Sequence, residues 1–343
     1  MPNQLLMTTL KGGITKRPPF WFMRQAGRYL PEYREIRKKI GTFMDLCLNP
    51  QSAKDVTLQP IIRYNTDAAI LFSDILIIPY GLGMDVRFEE GKGPVLGAIS
   101  NSNELNALSL TKNWTRIEAT YETVSLVKTK LPDTTSLIGF AGSPWTVATY
   151  MVEGRSSKDY AKVKGWAYRD PDGFSRLIEL LVEATIKHLS KQILAGADVV
   201  KLFDSWAGVL SPVQFKKWVI DPTKKICQRL KKRHPHIMII GFPKGAGVGY
   251  KDYVEQTGID AVSIDTSIST SWAAQELQTK MPIQGNLDPI SLLEGGSQMI
   301  EQAGLIVEDL KNGPFIFNLG HGILPNTPVE NVAELVAFLQ KSQ

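Results

Sequence analysis

The sequence predicts an α/β protein built as a (β/α)8 barrel. Eight short apolar segments lack polar alternation, as expected of strands that are buried on both faces of a parallel sheet. Amphipathic helical patterns separate most of these segments, and polar residues follow seven of the eight. The predicted strands span residues 21–23, 68–74, 136–140, 197–203, 237–241, 261–264, 282–285 and 315–317. A doubly wound open sheet is the alternative, because it shares the alternation of strand and helix.

The helices are predicted from a 3.6-residue apolar period and from residues that end helices. In chain order they span residues 29–40, 50–64, 114–129, 174–194, 250–257, 272–279 and 297–310. Gly41 and Gly196 mark the ends of the first and fourth of them. The glycine-rich stretch 81–97 contains an alternating segment at 84–88, which predicts a β-hairpin excursion and not a second domain.

Length, charge and cysteine content limit the possible functions. A chain of 343 residues is compatible with one α/β barrel. The net charge of +5 mildly favours an anionic partner but is too small, for this length, to indicate nucleic acid. Cys47 and Cys227 lack the spacing of a disulfide framework or a zinc site, which fits a reducing compartment. With no cationic leader and no membrane-length apolar run, the sequence predicts a cytoplasmic protein.

Several common catalytic signatures are missing from the sequence. It contains no GxxxxGK[ST], HExxH or GxSxG, which weakens the P-loop, zinc-protease and hydrolase hypotheses. The glycine run at 245–249 does not have GxGxxG spacing, and close backbone packing is the favoured interpretation. His188, His234 and His236 are assigned to structure or solvent. His321 lies between two glycines at a strand exit and is assigned to function.

Anion-binding side chains collect at the predicted strand exits. Arg24 and Arg28 follow the first strand, and each guanidinium can clamp a carboxylate or phosphate through two parallel hydrogen bonds. From this stretch alone, a pair of surface ion pairs is an equally good explanation. Because the carboxyl ends of barrel strands converge, we expect one mouth to contain Arg24, Arg28, Asp74, Tyr150, Ser205 and His321. Asp74 is the one obvious central carboxylate, and the set suits a small polyanion better than a metal or a nucleotide.

Two long motifs resemble the diagnostic motifs of the uroporphyrinogen decarboxylase family. They are PFWFMRQAGR at 19–28 and GFAGSPWTVATYMVEG at 139–154. Four shorter blocks are similar to further blocks of that family, in the same order: FSDIL at 72–76, FDSWAG at 203–208, QGNLDP at 284–289 and NLGHGI at 318–323. The resemblance implies a single-domain, distorted (β/α)8 TIM barrel over residues 1–343 that forms a homodimer.

The resemblance also implies a reaction and the residues that perform it. The four acetate side chains of uroporphyrinogen III would be decarboxylated to methyl groups, giving coproporphyrinogen III and CO2 in haem and tetrapyrrole biosynthesis. No metal or organic cofactor, nucleic acid or membrane partner is implied. Asp74, Arg24 and Arg28 would be catalytic, and these three would bind substrate together with Tyr150, Ser205 and His321. The proton donor is left open, because arginine is a poor acid in water.

Two other functions stay open on the sequence alone. A methyltransferase of the same wider superfamily needs clustered zinc ligands, and neither cysteine has a histidine nearby in the sequence. A non-catalytic porphyrin or polyanion carrier could keep the barrel, although the presence of both the carboxylate and the arginines argues against it.

Overall fold

A parallel β-sheet lies at the centre of the computed structural model, which describes residues 4–89 and 93–342. The strands are β1 (Ala68–Ile70), β2 (Val86–Glu89), β3 (Gly93–Leu96), β4 (Ser136–Gly142), β5 (Val199–Asp204), β6 (Met238–Pro243), β7 (Ala261–Ser263), β8 (Ile283–Leu287) and β9 (Phe315–Leu319). Seven of them pair in parallel in the order β1-β4-β5-β6-β7-β8-β9. Their carboxyl ends therefore share one edge. The remaining two, β2 and β3, form the predicted antiparallel hairpin, whose connecting residues 90–92 lie outside the described residues.

The sheet is curled, because its two outer strands reach the same segment of chain. Phe20 forms an isolated parallel bridge with Phe317 of β9. The carbonyl of Phe20 also accepts a hydrogen bond of 3.0 Å from the N–H of Asp67, the residue before β1. Across the concave face, the ammonium of Lys201 on β5 donates to the hydroxyl of Ser263 on β7 at 2.6 Å, although β6 lies between these strands.

The predicted strand at 21–23 is wrong, because side chains take the backbone donors that a ladder would need. The N–H of Phe22 donates to the Gln25 side chain at 3.0 Å. The N–H of Met23 donates to the Asn318 side chain at 3.1 Å. Pairing in this segment is thus limited to the bridge at Phe20, and the other seven predicted strands are confirmed.

Helices follow the strands and cover the outside of the sheet. They are α1 (Leu5–Leu10), α2 (Pro31–Lys39), α3 (Phe43–Cys47), α4 (Pro50–Tyr64), α5 (Ile77–Leu82), α6 (Glu118–Lys128), α7 (Pro144–Glu153), α8 (Ala161–Arg169), α9 (Pro171–Leu194), α10 (Pro212–Phe215), α11 (Asp221–Arg233), α12 (Tyr250–Thr257), α13 (Thr270–Glu276), α14 (Pro289–Glu294), α15 (Gly296–Leu310) and α16 (Val329–Lys341). Within the described ranges, none of them is long and apolar enough to cross a bilayer.

The predicted helices are confirmed, with shifts of a few residues at their ends. The bounds of α4 and α12 are those predicted. In α4 the Asn49 side chain accepts the N–H of Ser52, and a proline occupies the first helical position. The α9 helix begins before the predicted start, because Asp170 caps it by accepting the N–H of Gly173 at 2.9 Å. The helix predicted at 114–129 starts as a 3-10 turn, Trp114–Ile117, before α6.

Candidate active site

Most of the predicted site residues lie along the carboxyl edge of the curled sheet. Asp74 follows β1, Ser205 follows β5 and His321 follows β9, while Tyr150 lies on α7, the helix after β4. Arg24 follows the bridge residue Phe20. In α/β folds of this kind, loops at this edge form the ligand-binding surface.

Arg24 adopts a left-handed backbone conformation, with φ of 61°, which is rare for a residue with a side chain. A tight turn imposes it. The N–H of Gln25 donates to the carbonyl of Phe22, and the Gln25 amide also donates to the carbonyl of Ala68 at 2.9 Å. The N–H of Ile323 donates to the carbonyl of Met23 at 2.9 Å. Contacts with the surrounding chain thus offset the strain of the conformation that directs Arg24 towards the carboxyl edge.

The Arg24 side chain brings three of the other predicted residues into one electrostatic group. Its stem crosses Gly322 so closely that a Cβ on that glycine would overlap Cδ of Arg24. Burial is the largest influence on the pKa of Asp74, of Tyr150 and of His321, and the charge of Arg24 lowers the pKa of all three. Arg24 is therefore the common neighbour of these groups.

Asp74 is half-buried and keeps one oxygen free of partners among the described residues. Its Oδ1 accepts a hydrogen bond of 2.8 Å from the N–H of Leu76, and its Oδ2 accepts none from the described residues. Burial raises the pKa of Asp74 above the usual carboxyl value, while the Leu76 N–H and the Arg24 charge oppose that rise. The free oxygen is available to a ligand.

Tyr150 supplies a protonated phenol to the same group. Burial and the Asp74 charge raise its pKa, so the hydroxyl is a hydrogen-bond donor at neutral pH. Interaction with the side chains of Trp206 and Ser156 lowers that pKa in part. The rings of Tyr150 and Trp206 pack with centroids 6.1 Å apart.

Ser205 is half-buried, and its hydroxyl makes no hydrogen bond to the described part of the chain. The residues on both sides of it are held by Thr146 of α7. The Thr146 hydroxyl donates to Oδ1 of Asp204 and accepts the N–H of Trp206 at 3.1 Å. The backbone around Ser205 is therefore fixed, while its hydroxyl is left for a ligand.

His321 is a neutral donor. Its Nδ1 accepts the N–H of Gly322 at 2.7 Å, so the proton of the neutral ring is on Nε2. Burial, together with the charges of Arg24, Lys244 and Lys201, lowers the pKa of His321 to about 3. The imidazole can therefore donate one hydrogen bond to a carboxylate without titrating near neutral pH.

Arg28 is not brought into this group in the described structure. Its side chain is exposed and makes no hydrogen bond or ion pair with the other five predicted residues. Burial raises the pKa of Tyr33 to about 12, and the Arg28 charge opposes that rise. The ring of Tyr33 lies 5.7 Å from that of Phe72, on the loop that carries Asp74, so Arg28 is placed towards the outside of the same edge.

Sequence reasoning missed two buried charged residues whose charges reach His321. Lys201 is completely buried, and its ammonium lies 5.0 Å from the ring centroids of Trp21 and Phe203. Burial lowers its pKa well below the usual value. Asp265 follows β7, where it accepts hydrogen bonds from Gly245 and Tyr250. A lysine inside an apolar strand is rare in buried sheets, and that rarity is the sequence signal that could have identified Lys201.

The glycine run at 245–249 has the packing role that was predicted. A Cβ on Gly208 would overlap the carbonyl oxygen of Gly245, so the loops after β5 and β6 touch backbone to backbone. No three His, Cys, Asp or Glu side chains within residues 4–89 and 93–342 come together as a possible metal-binding group.

Together these features define the class of the protein: an α/β protein with a curled parallel sheet, whose carboxyl edge carries a guanidinium, a carboxylate with an unused oxygen and neutral hydrogen-bond donors. The family model of uroporphyrinogen decarboxylase (URO-D) matches residues 1–342. The uroporphyrinogen decarboxylase of Rhodospirillum rubrum is 50% identical over 334 residues, covering 97% of this chain and 96% of the relative. The uroporphyrinogen decarboxylase of Novosphingobium aromaticivorans is 48% identical over 340 residues, covering 99% of each. The chain belongs to the uroporphyrinogen decarboxylase family.

Solved structures give a likeness of fold. A methyltransferase from Methanosarcina mazei aligns with a TM-score of 0.80 and 18% identity over 99% of each chain. A B12-independent methionine synthase from Shewanella sp. W3-18-1 aligns with a TM-score of 0.55 and 9% identity over 85% of each chain. At these identities the likeness concerns the fold alone.

Proposed function

We propose that this chain decarboxylates the four acetate side chains of uroporphyrinogen III, giving coproporphyrinogen III and CO2 in tetrapyrrole biosynthesis. Membership of the uroporphyrinogen decarboxylase family supports the reaction. The observation that carries the residue assignment is the group around Arg24. It joins a carboxylate that has a free oxygen, a phenol and a neutral imidazole at the edge where α/β proteins bind ligands.

The reaction needs a place for the electrons of the broken bond. Loss of CO2 from an acetate would leave a carbanion, so the pyrrole is first protonated at a ring carbon next to nitrogen. The electrons of the C–C bond then flow into the cationic ring as CO2 leaves. The exocyclic methylene takes a proton to become a methyl group, and the ring returns the first proton. Because the substrate is its own electron sink, the proposal requires no metal or organic cofactor.

Asp74 has the role of stabilising the ring cation. Its free oxygen accepts hydrogen bonds from pyrrole N–H groups, and its negative charge lies where positive charge develops. A carboxylate fixed by the Leu76 N–H is preorganised for this role, which is the arrangement that most effectively lowers the barrier.

The other predicted residues bind the carboxylates of the substrate. Arg24 holds the reacting acetate beside Asp74, and Arg28 takes a carboxylate further out. Tyr150, Ser205 and His321 each donate one hydrogen bond. The hydroxyl of Ser205 and the Nε2 of His321 have no acceptor in the described residues, so both donors are unoccupied by that part of the protein.

We further infer the architecture that the family resemblance implies: a single-domain (β/α)8 barrel over residues 1–343, with the segment at Phe20 in the eighth strand position. The hydrogen bonds that join Phe20 to Asp67 and to the β9 strand support closure at that point. A homodimer is part of the proposal, and Val213 and Val248, exposed in the segments after β5 and β6, suit a contact between two copies. Cys47 is buried and unpaired, which fits a cytoplasmic location.

The test is a product assay on the purified chain under anaerobic conditions. Uroporphyrinogen III is supplied without added metal or cofactor, and the products are oxidised to porphyrins and separated by carboxylate number. The expected result is stepwise conversion from eight carboxylates to four. Absence of tetracarboxylic product from folded protein would refute the proposed reaction, and sedimentation of the same sample checks the homodimer.

A further inference from the structure

A cavity of about 670 Å³ is lined by the end of α7, the loop that follows it, the start of α8 and the β2–β3 hairpin. It is lined on one side by Arg155, Ser156 and Lys158 of this loop, and by Lys162 at the start of α8. Its volume is within the usual range for sites that hold small ligands. We refer to it as the outer cavity.

The outer cavity adjoins the inner site, the group around Arg24, on the segment between α7 and α8. Ser157 lines the cavity and accepts the N–H of Tyr160 at 3.0 Å, and the rings of Tyr160 and Tyr150 both pack against Trp206, with centroid distances of 5.4 and 6.1 Å. Tyr150 is also one helical turn before the loop, because the N–H of Gly154 donates to its carbonyl at 2.9 Å. The outer cavity and Tyr150 therefore lie on neighbouring parts of one segment, at a separation that a large ligand can span.

The positively charged side chains that line the outer cavity are free to bind an anion. Arg155, Lys158 and Lys162 are exposed, and none of the three forms an ion pair with a residue in the described part of the chain. Two carboxylates, Glu89 and Glu153, also line the cavity.

The negative charge of Glu153 is largely compensated by the amino end of the helix that follows it, α8. This side chain is buried, and its Oε1 accepts the backbone N–H groups of Lys162 and Val163, both at 3.0 Å, in the first turn of α8. The amino end of that helix also carries partial positive charge. In the described part of the chain, the cations that line the cavity are therefore exposed and without an ion-pair partner, and Glu89 on the hairpin is the other carboxylate of the lining.

We propose that the outer cavity is a second carboxylate-binding site for the tetrapyrrole, in which Arg155, Lys158 and Lys162 bind the carboxylates. The proposal rests on the proposed function. Uroporphyrinogen carries eight carboxylates, whereas the inner site offers the guanidinium of Arg24 and three neutral donors, with the guanidinium of Arg28 further out. Carboxylates that the inner site leaves free need cations nearby, and exposed cations beside a site also increase the rate of encounter with a polyanion.

The test removes the three charges together in the variant Arg155→Gln, Lys158→Gln, Lys162→Gln. At an ionic strength of about 0.02 M, where screening is weak, we expect KM for uroporphyrinogen to rise about five- to twentyfold, with the effect on KM and not on kcat. At about 0.2 M salt the difference from wild type should shrink. Affinity for uroporphyrin, the oxidised octacarboxylic ring, measured by fluorescence titration, should fall in parallel.

The matched control is Lys217→Gln, Lys224→Gln, Lys232→Gln, which removes the same charge from exposed positions in and just before α11, none of which lines the outer cavity. It should leave KM and uroporphyrin affinity within about twofold of wild type. Equal effects of the two triple variants, or no effect of either, would overturn the outer site. If the wild-type chain turned over no substrate, the proposed function would fail, and the titration would still decide the outer site by the same comparison.

Discussion

Asp74 and Asp265 both follow a strand of the same sheet, yet the chain around them satisfies the two carboxylates to very different extents. Asp265 is 3% exposed and accepts four hydrogen bonds from its own chain, whereas Asp74 is half-buried and accepts one from the described residues. A carboxylate whose oxygens all accept hydrogen bonds from its own protein holds loops together. An acid with an unused oxygen can receive a ligand, so the partners of a carboxylate, and not its position after a strand, distinguish structure from function.

The strongest test of this contrast is Asp74→Asn. Asparagine keeps the shape and can still accept the Leu76 N–H, but it removes the charge that we propose stabilises the ring cation. We expect kcat to fall at least about 10³-fold, with the free energy of unfolding within about 1 kcal/mol of wild type. Anaerobic turnover and urea unfolding measure the two quantities. Asp133→Asn, at an exposed carboxylate, is the control, and near-normal turnover by the Asp74 variant would remove the proposed role.

The converse test is Asp265→Ala, which should cost stability. Tyr250 is completely buried, so its hydroxyl would lose its acceptor without gaining water, and the N–H of Gly245 would lose one too. We expect the free energy of unfolding to fall by about 2–4 kcal/mol. Tyr250→Phe removes one of these bonds together with its donor, and should cost about 1 kcal/mol. Unfolding curves for both variants that overlie wild type would contradict the structural role.

Gly322→Ala tests whether Arg24 must lie beside Asp74. The added Cβ would meet the Arg24 stem, and a flexible side chain can move away from it. We expect wild-type stability but a fall in kcat/KM of about 10- to 100-fold, the size that a displacement of about 1 Å produces. Without the nearby cation the pKa of Asp74 rises further, so the acid limb of the kcat/KM profile should move to higher pH.

Gly97→Ala is the control for this substitution, because a Cβ at Gly97 would meet nothing within 4 Å. If the Gly322→Ala protein kept full activity and an unmoved acid limb, the Arg24 stem would not be required in its present position.

The sequence predicted those helices and strands whose formation depends on residues close together in the chain. The bounds of α4 could be predicted because Asn49 and Pro50 are adjacent start signals. Buried parallel strands could be predicted from unbroken apolar runs. The false strand at 21–23 was hard to avoid, because one of the two side chains that interrupt its ladder, Asn318, is almost the full chain away. The C-terminal helix α16 was also not predicted.

The residues of the candidate site could likewise be predicted only where a local sequence pattern marks them. The polar strand exits located Asp74, Ser205 and His321 at one edge, which the structure confirms. No local pattern separated Asp74 from Asp265, because the partners of Asp265 come from positions 2 to 20 residues away. The left-handed conformation of Arg24 likewise depends on contacts with β1 and with the chain after β9.

A third strand-exit acid, Asp204, makes the stability of the protein depend on pH. Burial raises the pKa of Asp204 to about 7, whereas an unfolded aspartate titrates near about 3.9. Between these values the folded chain binds more protons than the unfolded chain. Stability therefore falls as pH rises through this window, by at most about 1.4 kcal/mol per pH unit. Burial also raises the pKa of Asp265, but its hydrogen bonds lower this pKa overall. Asp265 therefore makes stability rise with pH, and it does so only below about pH 4.

Asp204→Asn should flatten the slope, because asparagine is neutral at every pH and can still accept the Thr146 hydroxyl. Urea unfolding at about pH 5, 6, 7 and 8 measures the slope for both proteins. Asp198 lies just before β5, at the opposite end of this strand from Asp204, and it is paired with Lys128. Asp198→Asn is the control and should keep the wild-type slope over this range. If the Asp204 variant kept it too, Asp204 would be ionised in the folded chain.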